Sequence, residues 1–234
     1  MSKLEKIWNK SDRINKIVLD CLVKADGFAG SSRAYKTNDW IEYCENIYSK
    51  IGISKEDRIF EIGCGSGAFL YPLYLKNISV GGNDFSKSLL NLAKKFMPES
   101  DFICKDAVNL NLNSSYEIVV SHSVFQYLND LSEAEIVIKK MSQMTIKKFA
   151  ILDVSDMSKR DLFLSERMKN YMKEGYTEAD FKKRYEGLDH LFYSKEWFRE
   201  LGSQLNLKIE IFDQVNKNYE KSILGFNVIF TKFN

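Results

Sequence analysis

Two kinds of hydrophobic pattern alternate along the middle of the chain. Short continuous runs of branched and aromatic residues are typical of buried strands, and apolar residues three or four positions apart are typical of one helix face. The runs predict strands at 58–62, 79–84, 101–105, 116–121 and 149–154. The helical spacing predicts helices up to about 76, at 87–96 and at 132–144. Strands alternating with helices predict an α/β fold with a parallel sheet and right-handed crossovers.

Helical patterns precede this alternating region. Apolar residues at helical spacing indicate an amphipathic helix over 4–24, with a break near 10–12, and a second helix from about 39 to 50. Core packing and a lid over a ligand are alternative roles for the first helix. The loop 26–32 between the two helices contains two glycines and is a candidate hinge.

The pattern changes again after the fifth strand. Residues 156–190 carry charged helical stretches without a strand pattern, which indicates an inserted helical cap. Ser194 is a candidate N-cap for a helix at 195–205. Alternating apolar residues then predict two closing strands at 207–212 and 226–233.

Local signals refine the helix starts in the middle region. Ser86 is a candidate N-cap for the helix at 87–96, and Ser132 with Glu135 has the spacing of a capping box. Pro72 is compatible with a helix only in its first turn, so the helix that precedes residue 76 is expected to start late or to bend.

The first strand runs directly into a glycine-rich turn. Glu61 is followed by glycines at 63, 65 and 67, and glycine allows positive φ and close approach of the backbone to a ligand. A strand, a glycine turn and a helix start form a common nucleotide site, because the first N–H groups of a helix have no partner within it. The loose match Gly63-x-Gly65-x-x-Ala68 also leaves a dinucleotide of the NAD type open.

Asp84 ends the second predicted strand, one helix and one strand after the glycine turn. An acid at this place can accept hydrogen bonds from both ribose hydroxyls in either kind of nucleotide site. Asp84 therefore supports a nucleoside ligand without distinguishing between the two.

Four segments that follow one another in order give a more specific signal. The E-x-G-x-G-x-G pattern of 61–67 is followed by Phe102–Ala107, Tyr116–Leu128 and Phe149–Val154. Together they resemble the class I S-adenosylmethionine-dependent methyltransferase family, of the type that acts on small molecules. The resemblance implies a Rossmann-like, seven-stranded, mostly parallel sheet with a C-terminal antiparallel strand pair. It also implies S-adenosyl-L-methionine as cofactor and S-adenosyl-L-homocysteine as product.

The resemblance implies a set of cofactor-binding residues. Gly63, Gly65 and Gly67 would lie against the amino-acid and ribose portions, and Glu61 would organise the turn or the cofactor's amino group. Asp84 would bind the ribose hydroxyls and Phe85 would pack on the adenine. Asp106 and the backbone of Ala107 would read the adenine edge, and Ser121 would lie near the methionine portion. The complete set is Glu61, Gly63, Gly65, Gly67, Asp84, Phe85, Asp106, Ala107 and Ser121.

Candidates for proton transfer are few. His122 immediately follows the fourth strand, and an imidazole can accept a proton near neutral pH. His190 and Tyr193 lie at the end of the predicted cap and are candidates for contact with the substrate. The family has no fixed catalytic base, so the resemblance assigns none of the three, and a hydrogen-bonded structural histidine is an equal reading of His122.

Charge and motif content limit the acceptor. The net charge of +2 gives no electrostatic case for nucleic acid or an anionic membrane surface. The [DN]-P-P-[FYW] turn of methyltransferases that act on nucleic-acid amino groups is replaced by Ser121–Val124. A hydroxyl or amine of a small molecule is therefore the expected acceptor, and the resemblance at the level of the fold implies a sugar or secondary metabolite. The alternatives are an NAD(P)-dependent oxidoreductase and an inactive cofactor-binding partner protein.

The remaining composition fits a cytoplasmic protein. No apolar run approaches the length of a membrane span, and the charged N-terminus lacks a signal-peptide pattern. The four cysteines are widely spaced, which fits free thiols in a reducing compartment and does not provide a zinc-ligand spacing. No motif specifies an oligomeric state.

We expect a single methyltransferase domain over 1–234 with four parts. These are an N-terminal helical lid, a cofactor-binding core, a helical cap, and a C-terminal helix with closing strands. Their respective ranges are 1–50, 51–155, 156–193 and 194–234.

Overall fold

The predicted runs form one seven-stranded sheet in the computed structural model, which describes residues 3–28, 36–185, 190–214 and 223–233. The strands are β1 Arg58–Ile62, β2 Ser79–Asp84, β3 Asp101–Cys104, β4 Tyr116–His122, β5 Thr145–Ser155, β6 Leu207–Asp213 and β7 Gly225–Lys232. The helices are α1 Lys3–Ala25, α2 Thr37–Ile51, α3 Tyr71–Leu75, α4 Lys87–Phe96, α5 Leu131–Met144, α6 Arg160–Lys173, α7 Glu178–Tyr185 and α8 Lys195–Gln204.

The strand order is β3-β2-β1-β4-β5-β7-β6. Strands β1 to β5 are parallel, and β7 runs antiparallel to both β5 and β6. The predicted Rossmann-like sheet with a closing antiparallel pair is confirmed. Because the chain order reverses between β1 and β4, a crevice opens at the carboxyl ends of the central strands, where open α/β sheets bind ligands.

Each face of the sheet is covered by its own hydrophobic core. Ile59 of β1 and Val120 of β4 face a core shared with α1 to α4, which includes the fully buried Trp40. Phe60 and Val119, their neighbours in sequence, face a second core shared with α5 and α8. Successive side chains of a strand point to opposite faces, so strands that are buried on both sides carry continuous apolar runs.

Most predicted helix starts agree with the structure, and one is wrong. Ser86 accepts a hydrogen bond from the Leu89 N–H, and Ser194 caps α8, as expected. The cap of α5 is Asp130, which accepts a hydrogen bond from the Glu133 N–H at 2.9 Å. Aspartate caps as well as serine does, and Asp130 lies two residues earlier than Ser132, so the helix begins before the predicted capping box at Ser132, which does not form.

Of three further boundaries, one agrees with the prediction and two differ from it. Helix α3 begins late, at Tyr71, with Pro72 in its first turn, as the proline requires. Helix α1 is continuous through 10–12, where a break was predicted. Strand β5 begins at Thr145, earlier than predicted, because Tyr116 and Ile118 of β4 pair with Thr145 and Lys148.

The segment after β5 is helical, as predicted for the cap. None of the helices in the described ranges has a stretch long and apolar enough to cross a membrane. Residues 29–32 of the candidate hinge and 187–189 beside His190 lie outside the described residues. The division into lid, core, cap and closing segment stays a prediction.

Candidate functional site

A cavity of about 970 Å³ opens at the carboxyl ends of β1, β2, β4 and β5. The glycine turn after β1 and the acids at the ends of β1 and β2 form part of its wall. Helix α6 contributes a mixed aromatic and charged surface. The lining residues of that helix are Phe163, Glu166, Arg167, Asn170 and Tyr171.

The backbone N–H groups of the glycine turn all have acceptors within the protein. Gly63 and Cys64 both donate to the carbonyl of Asn83, at 2.8 and 2.9 Å, and the Gly67 N–H donates to the Cys64 carbonyl at 2.8 Å. Gly65 donates to Oδ2 of Asp84 at 2.9 Å. These bonds fix the turn against the end of β2.

Asp26, directly after α1, accepts the two remaining N–H groups of the turn. The Ser66 N–H donates to its Oδ1 at 2.6 Å, and the Ala68 N–H donates to its Oδ2 at 3.4 Å. The Trp40 indole N–H of α2 also donates to the Ala68 carbonyl, at 3.0 Å. The two N-terminal helices therefore hold the turn from the side opposite to β2.

The three turn glycines have positive φ, but their surroundings differ. A Cβ on Gly65 would lie 2.5 Å from Oδ1 of Asp26, and a Cβ on Gly63 would overlap the Val124 side chain. Both glycines line the cavity. Gly67 does not line it. A Cβ on Gly67 would instead overlap the methyl group of the buried Met97, in the core beneath the turn. Gly67 is thus required by core packing beneath the turn.

Three carboxyl groups meet at this end of the cavity. Burial raises the pKa of Glu61 far above its usual range, and the charges of Asp26 and Asp84 add to the rise. Burial also raises the pKa of Asp26 to about 6. Oε2 of Glu61 is buried without a hydrogen-bond partner, and none of the three acids forms an ion pair with another described residue. Burial and the neighbouring carboxylates therefore favour the protonated form of Glu61, and a cation at this wall would favour its ionised form.

The predicted nucleoside-binding residues lie together along the next part of the cavity. Asp84 is 7% exposed and accepts a second hydrogen bond, from the Ser86 N–H at 2.7 Å. Phe85 is 77% exposed and lines the cavity, so it is a rim residue and not part of the core. Asp106 and Ala107 line the same region, where Oδ1 of Asp106 accepts the Val108 N–H at 2.8 Å.

His122 lies in an aromatic enclosure at the end of β4. Its ring stacks on Phe69 with centroids 5.3 Å apart and meets Trp40 edge-on at 5.6 Å. Its Nε2 lies 2.9 Å from the hydroxyl oxygen of Tyr43. Burial lowers the pKa of His122 to about 4, against the opposing charge of Asp153, so the imidazole is neutral at neutral pH.

The other predicted residues divide between the cavity and the core. His190 lines the cavity, with its ring edge-on to Tyr127 and tilted against Phe163. Tyr193 is 1% exposed and does not line the cavity, because its hydroxyl donates to the Phe125 carbonyl at 2.8 Å. Ser121 is also buried away from the cavity and donates to the Ile62 carbonyl at 3.0 Å.

Several lining residues were not found from the sequence. Ser123 and Asp153 both have positive φ at the ends of β4 and β5, and the Ser123 hydroxyl donates to the Asp153 carboxylate. The Gln214 side-chain amide donates to the other carboxylate oxygen at 3.0 Å. The sequence pattern placed Asp26 only in the candidate hinge loop 26–32. The one available signal for it was an acid between an apolar helix and a glycine.

Residues 60–147 match a sequence model of the family described as a methyltransferase domain. This match, the strand order and the ordered motifs define the core of the chain as a class I S-adenosylmethionine-dependent methyltransferase domain. The recognition made from the motifs is confirmed.

Individual relatives match parts of the chain. A malonyl-[acyl-carrier protein] O-methyltransferase of Bacillus cytotoxicus is 35% identical over 91 residues, covering 37% of this chain and 31% of the relative. The chain thus spans less than a third of that relative's length in the match.

Solved structures share the fold over most of the chain. Magnesium protoporphyrin IX methyltransferase from Synechocystis PCC 6803, solved with bound S-adenosylmethionine, has a TM-score of 0.60 and 12% identity, covering 94% of this chain and 97% of its own. An amino pentose methyltransferase from Micromonospora echinaspora has a TM-score of 0.59 and 13% identity, covering 82% and 92% respectively.

Proposed function

We propose that this chain transfers a methyl group from S-adenosyl-L-methionine to a hydroxyl or amine of a small molecule and releases S-adenosyl-L-homocysteine. The observation that carries the proposal is the acidic surroundings of the glycine turn. Its N–H groups from 63 to 68 already have protein acceptors, and three carboxyl groups surround it. This arrangement favours a cationic group of the ligand over an anionic one, and the methionine portion of the cofactor carries an ammonium and a sulfonium.

The same observation argues against the dinucleotide alternative. A pyrophosphate binds at such a turn through unpaired N–H groups at the helix start. Here Asp84 and Asp26 accept three of those N–H groups, and their charges oppose a phosphate. The helix α3 is also short and begins only at Tyr71, so the turn does not present a long helix dipole.

The residues present fit the cofactor. Glu61 offers a buried carboxyl oxygen without a partner, and Asp84 stands at the place where ribose hydroxyls are bound in related folds. Phe85, Asp106 and Ala107 line the part of the cavity beyond Asp84, as expected for an adenine. When bound, the cofactor supplies an activated methyl group on a cationic sulfur, so the protein mainly aligns and shields the reactants.

The acceptor would enter beside the ends of β4 and β5. His122, Ser123, Gln126 and Asp153 line this end of the cavity. A hydroxyl acceptor must lose its proton, whereas an amine needs only to be neutral. A base with a pKa of about 4 is weak, so the geometry gives His122 more of a role in shaping the site than in removing a proton.

The substrate proposal rests on this polar and aromatic lining. Helix α6 and His190 combine ring surfaces with charged groups, which suits a small molecule that has both apolar and polar parts. The malonyl-[acyl-carrier protein] relative suggests a carrier-bound carboxylate as a second acceptor class to be tested. A carboxylate would need no base.

Calorimetric titration with S-adenosylhomocysteine and with NADH tests the cofactor. The protein is expected to bind S-adenosylhomocysteine and not NADH. Binding of NADH and not of S-adenosylhomocysteine would reverse the proposal. Transfer of labelled methyl from the cofactor to a metabolite extract, and to a malonyl thioester, then tests the acceptor class. Asp84→Ala should abolish labelling in both cases. No transfer to any acceptor despite binding of the by-product would favour an inactive cofactor-binding protein.

A further inference from the structure

We propose that Asp26, at the end of the N-terminal helix, acts with Glu61 to bind the α-ammonium group of the cofactor's methionine portion. Asp26 lies outside the glycine motif in sequence, and the assignment makes α1 part of the cofactor site. The inference rests on the proposed function, because it assumes that this cavity holds S-adenosylmethionine.

The position of Asp26 is fixed by the turn that it contacts. Its two carboxylate oxygens accept N–H groups from Ser66 and Ala68, and Oδ1 lies 2.5 Å from where a Cβ on Gly65 would be. The Ser66 hydroxyl donates at 3.0 Å to the carbonyl of Leu22, one turn earlier in α1. Asp26 itself lines the cavity. The carboxylate is therefore held at the cavity wall in one orientation.

Glu61 is a second observation, independent of Asp26, that points to a ligand at this wall. Its side chain is 2% exposed, it lines the cavity, and its Oε2 has no hydrogen-bond partner. A buried carboxyl oxygen without a donor costs free energy that a hydrogen-bonding cation would recover. An ammonium group has three N–H donors, enough to reach both carboxyl groups at once.

The charge of the wall selects the ammonium over the carboxylate of the same amino-acid portion. Asp84 adds a third acid to Asp26 and Glu61. Burial raises the pKa of the Cys64 thiol on the turn, and all three acids add to the rise. Such a wall repels an anion. Since the turn has no unused N–H group between 63 and 68, it has no compensating donor for a carboxylate.

A purely structural role for Asp26 makes a different prediction. As a cap for the turn it needs oxygens that accept N–H groups, and asparagine keeps one of the two, enough for the shorter bond from Ser66. As a partner for an ammonium it needs its charge. Asp26→Asn therefore removes the charge and the long bond from Ala68 but keeps an acceptor for Ser66. Asp20→Asn is the matched control, because Asp20 lies on the same helix, pairs with Lys24 at 2.7 Å and does not line the cavity.

The experiment measures calorimetric binding of three compounds at pH 8, where Asp26 is ionised. They are S-adenosylhomocysteine, its analogue without the α-amino group, and 5′-methylthioadenosine, which lacks the amino-acid portion. Asp26→Asn should weaken S-adenosylhomocysteine binding about tenfold or more, as for loss of a charge-assisted hydrogen bond. Binding of the other two compounds should change less than about twofold, and Asp20→Asn should bind all three like the wild type.

Two results would overturn the assignment. Equal weakening of all three compounds would show that Asp26 only shapes the turn, and unchanged S-adenosylhomocysteine binding would show that its charge is not used. Thermal unfolding of each variant checks that the fold is retained. If the wild type binds none of the three compounds, the proposed cofactor itself is wrong, and the assignment fails with it.

Discussion

Ser123 and Asp153 are hydrogen-bonded to each other across the ends of two neighbouring parallel strands, and both have left-handed backbone conformations, with φ of 55° and 58°. The Ser123 N–H also donates to the Leu152 carbonyl at 3.0 Å, which extends the ladder between β4 and β5 by one residue. Residues other than glycine adopt this conformation at a cost, and such strain is concentrated at functional sites. Here both side chains line the cavity.

Substitution of Ser123 should separate strain from hydrogen bonding. Ser123→Ala and Ser123→Gly both lose the hydroxyl, but only glycine accepts positive φ without a steric cost. The glycine variant should therefore be more stable than the alanine variant by up to about 1 kcal/mol. Urea unfolding at neutral pH measures the difference. Equal stability, or a more stable alanine variant, would mean that the backbone is not strained there.

The buried imidazole of His122 predicts a pH-dependent stability. Its pKa is about 4 in the folded protein and near 6.5 when unfolded, so the unfolded state binds more protons between these values. The contribution is complete above pH 6.5 and is lost as the pH falls towards 4, with a total on the order of 3 kcal/mol. His122→Gln should flatten this part of the curve.

Tyr43→Phe is the control for this effect. It removes the hydroxyl next to Nε2 but leaves the imidazole buried, and burial is the main cause of the lowered pKa. The pH dependence should therefore persist in this variant. If the free energy of unfolding changed equally with pH in the wild type and in His122→Gln, another group would control the stability at acid pH.

Tyr193 is expected to support the fold and not the chemistry. Tyr193→Phe removes the hydrogen bond to the buried Phe125 carbonyl and should cost about 1–2 kcal/mol of unfolding free energy. Cofactor affinity and methyl transfer at 25 °C should stay unchanged. A large fall in the transfer rate with normal cofactor binding would return Tyr193 to the list of catalytic candidates.

Gly67 should be sensitive to substitution through the core beneath the turn. Gly67→Ala places a Cβ against the Met97 methyl group at a φ of +83°, and overpacking of this kind costs about 1–3 kcal/mol. The cost should be smaller in a Met97→Ala background, where space is available. Additive losses in the double variant would leave backbone strain as the main cause.

The sequence by itself determined the sheet, the glycine turn and the acids at strand ends. These features depend on local rules: continuous apolar runs for strands buried on both faces, glycine where φ is positive, and short polar segments after strands. β1, β2 and α4 match their predicted ranges, and Asp84 lies on the cavity. The order of the motifs was sufficient to identify the family.

Tertiary structure alone decided which side chains reach the cavity. Asp26 meets the turn across 40 residues, and Tyr43 meets His122 across 79, distances over which no local pattern carries information. Ser121 and Tyr193 were expected at the site, but buried backbone carbonyls of Ile62 and Phe125 take their hydroxyls. A buried carbonyl must find a donor, and which donor it finds depends on how distant segments pack together.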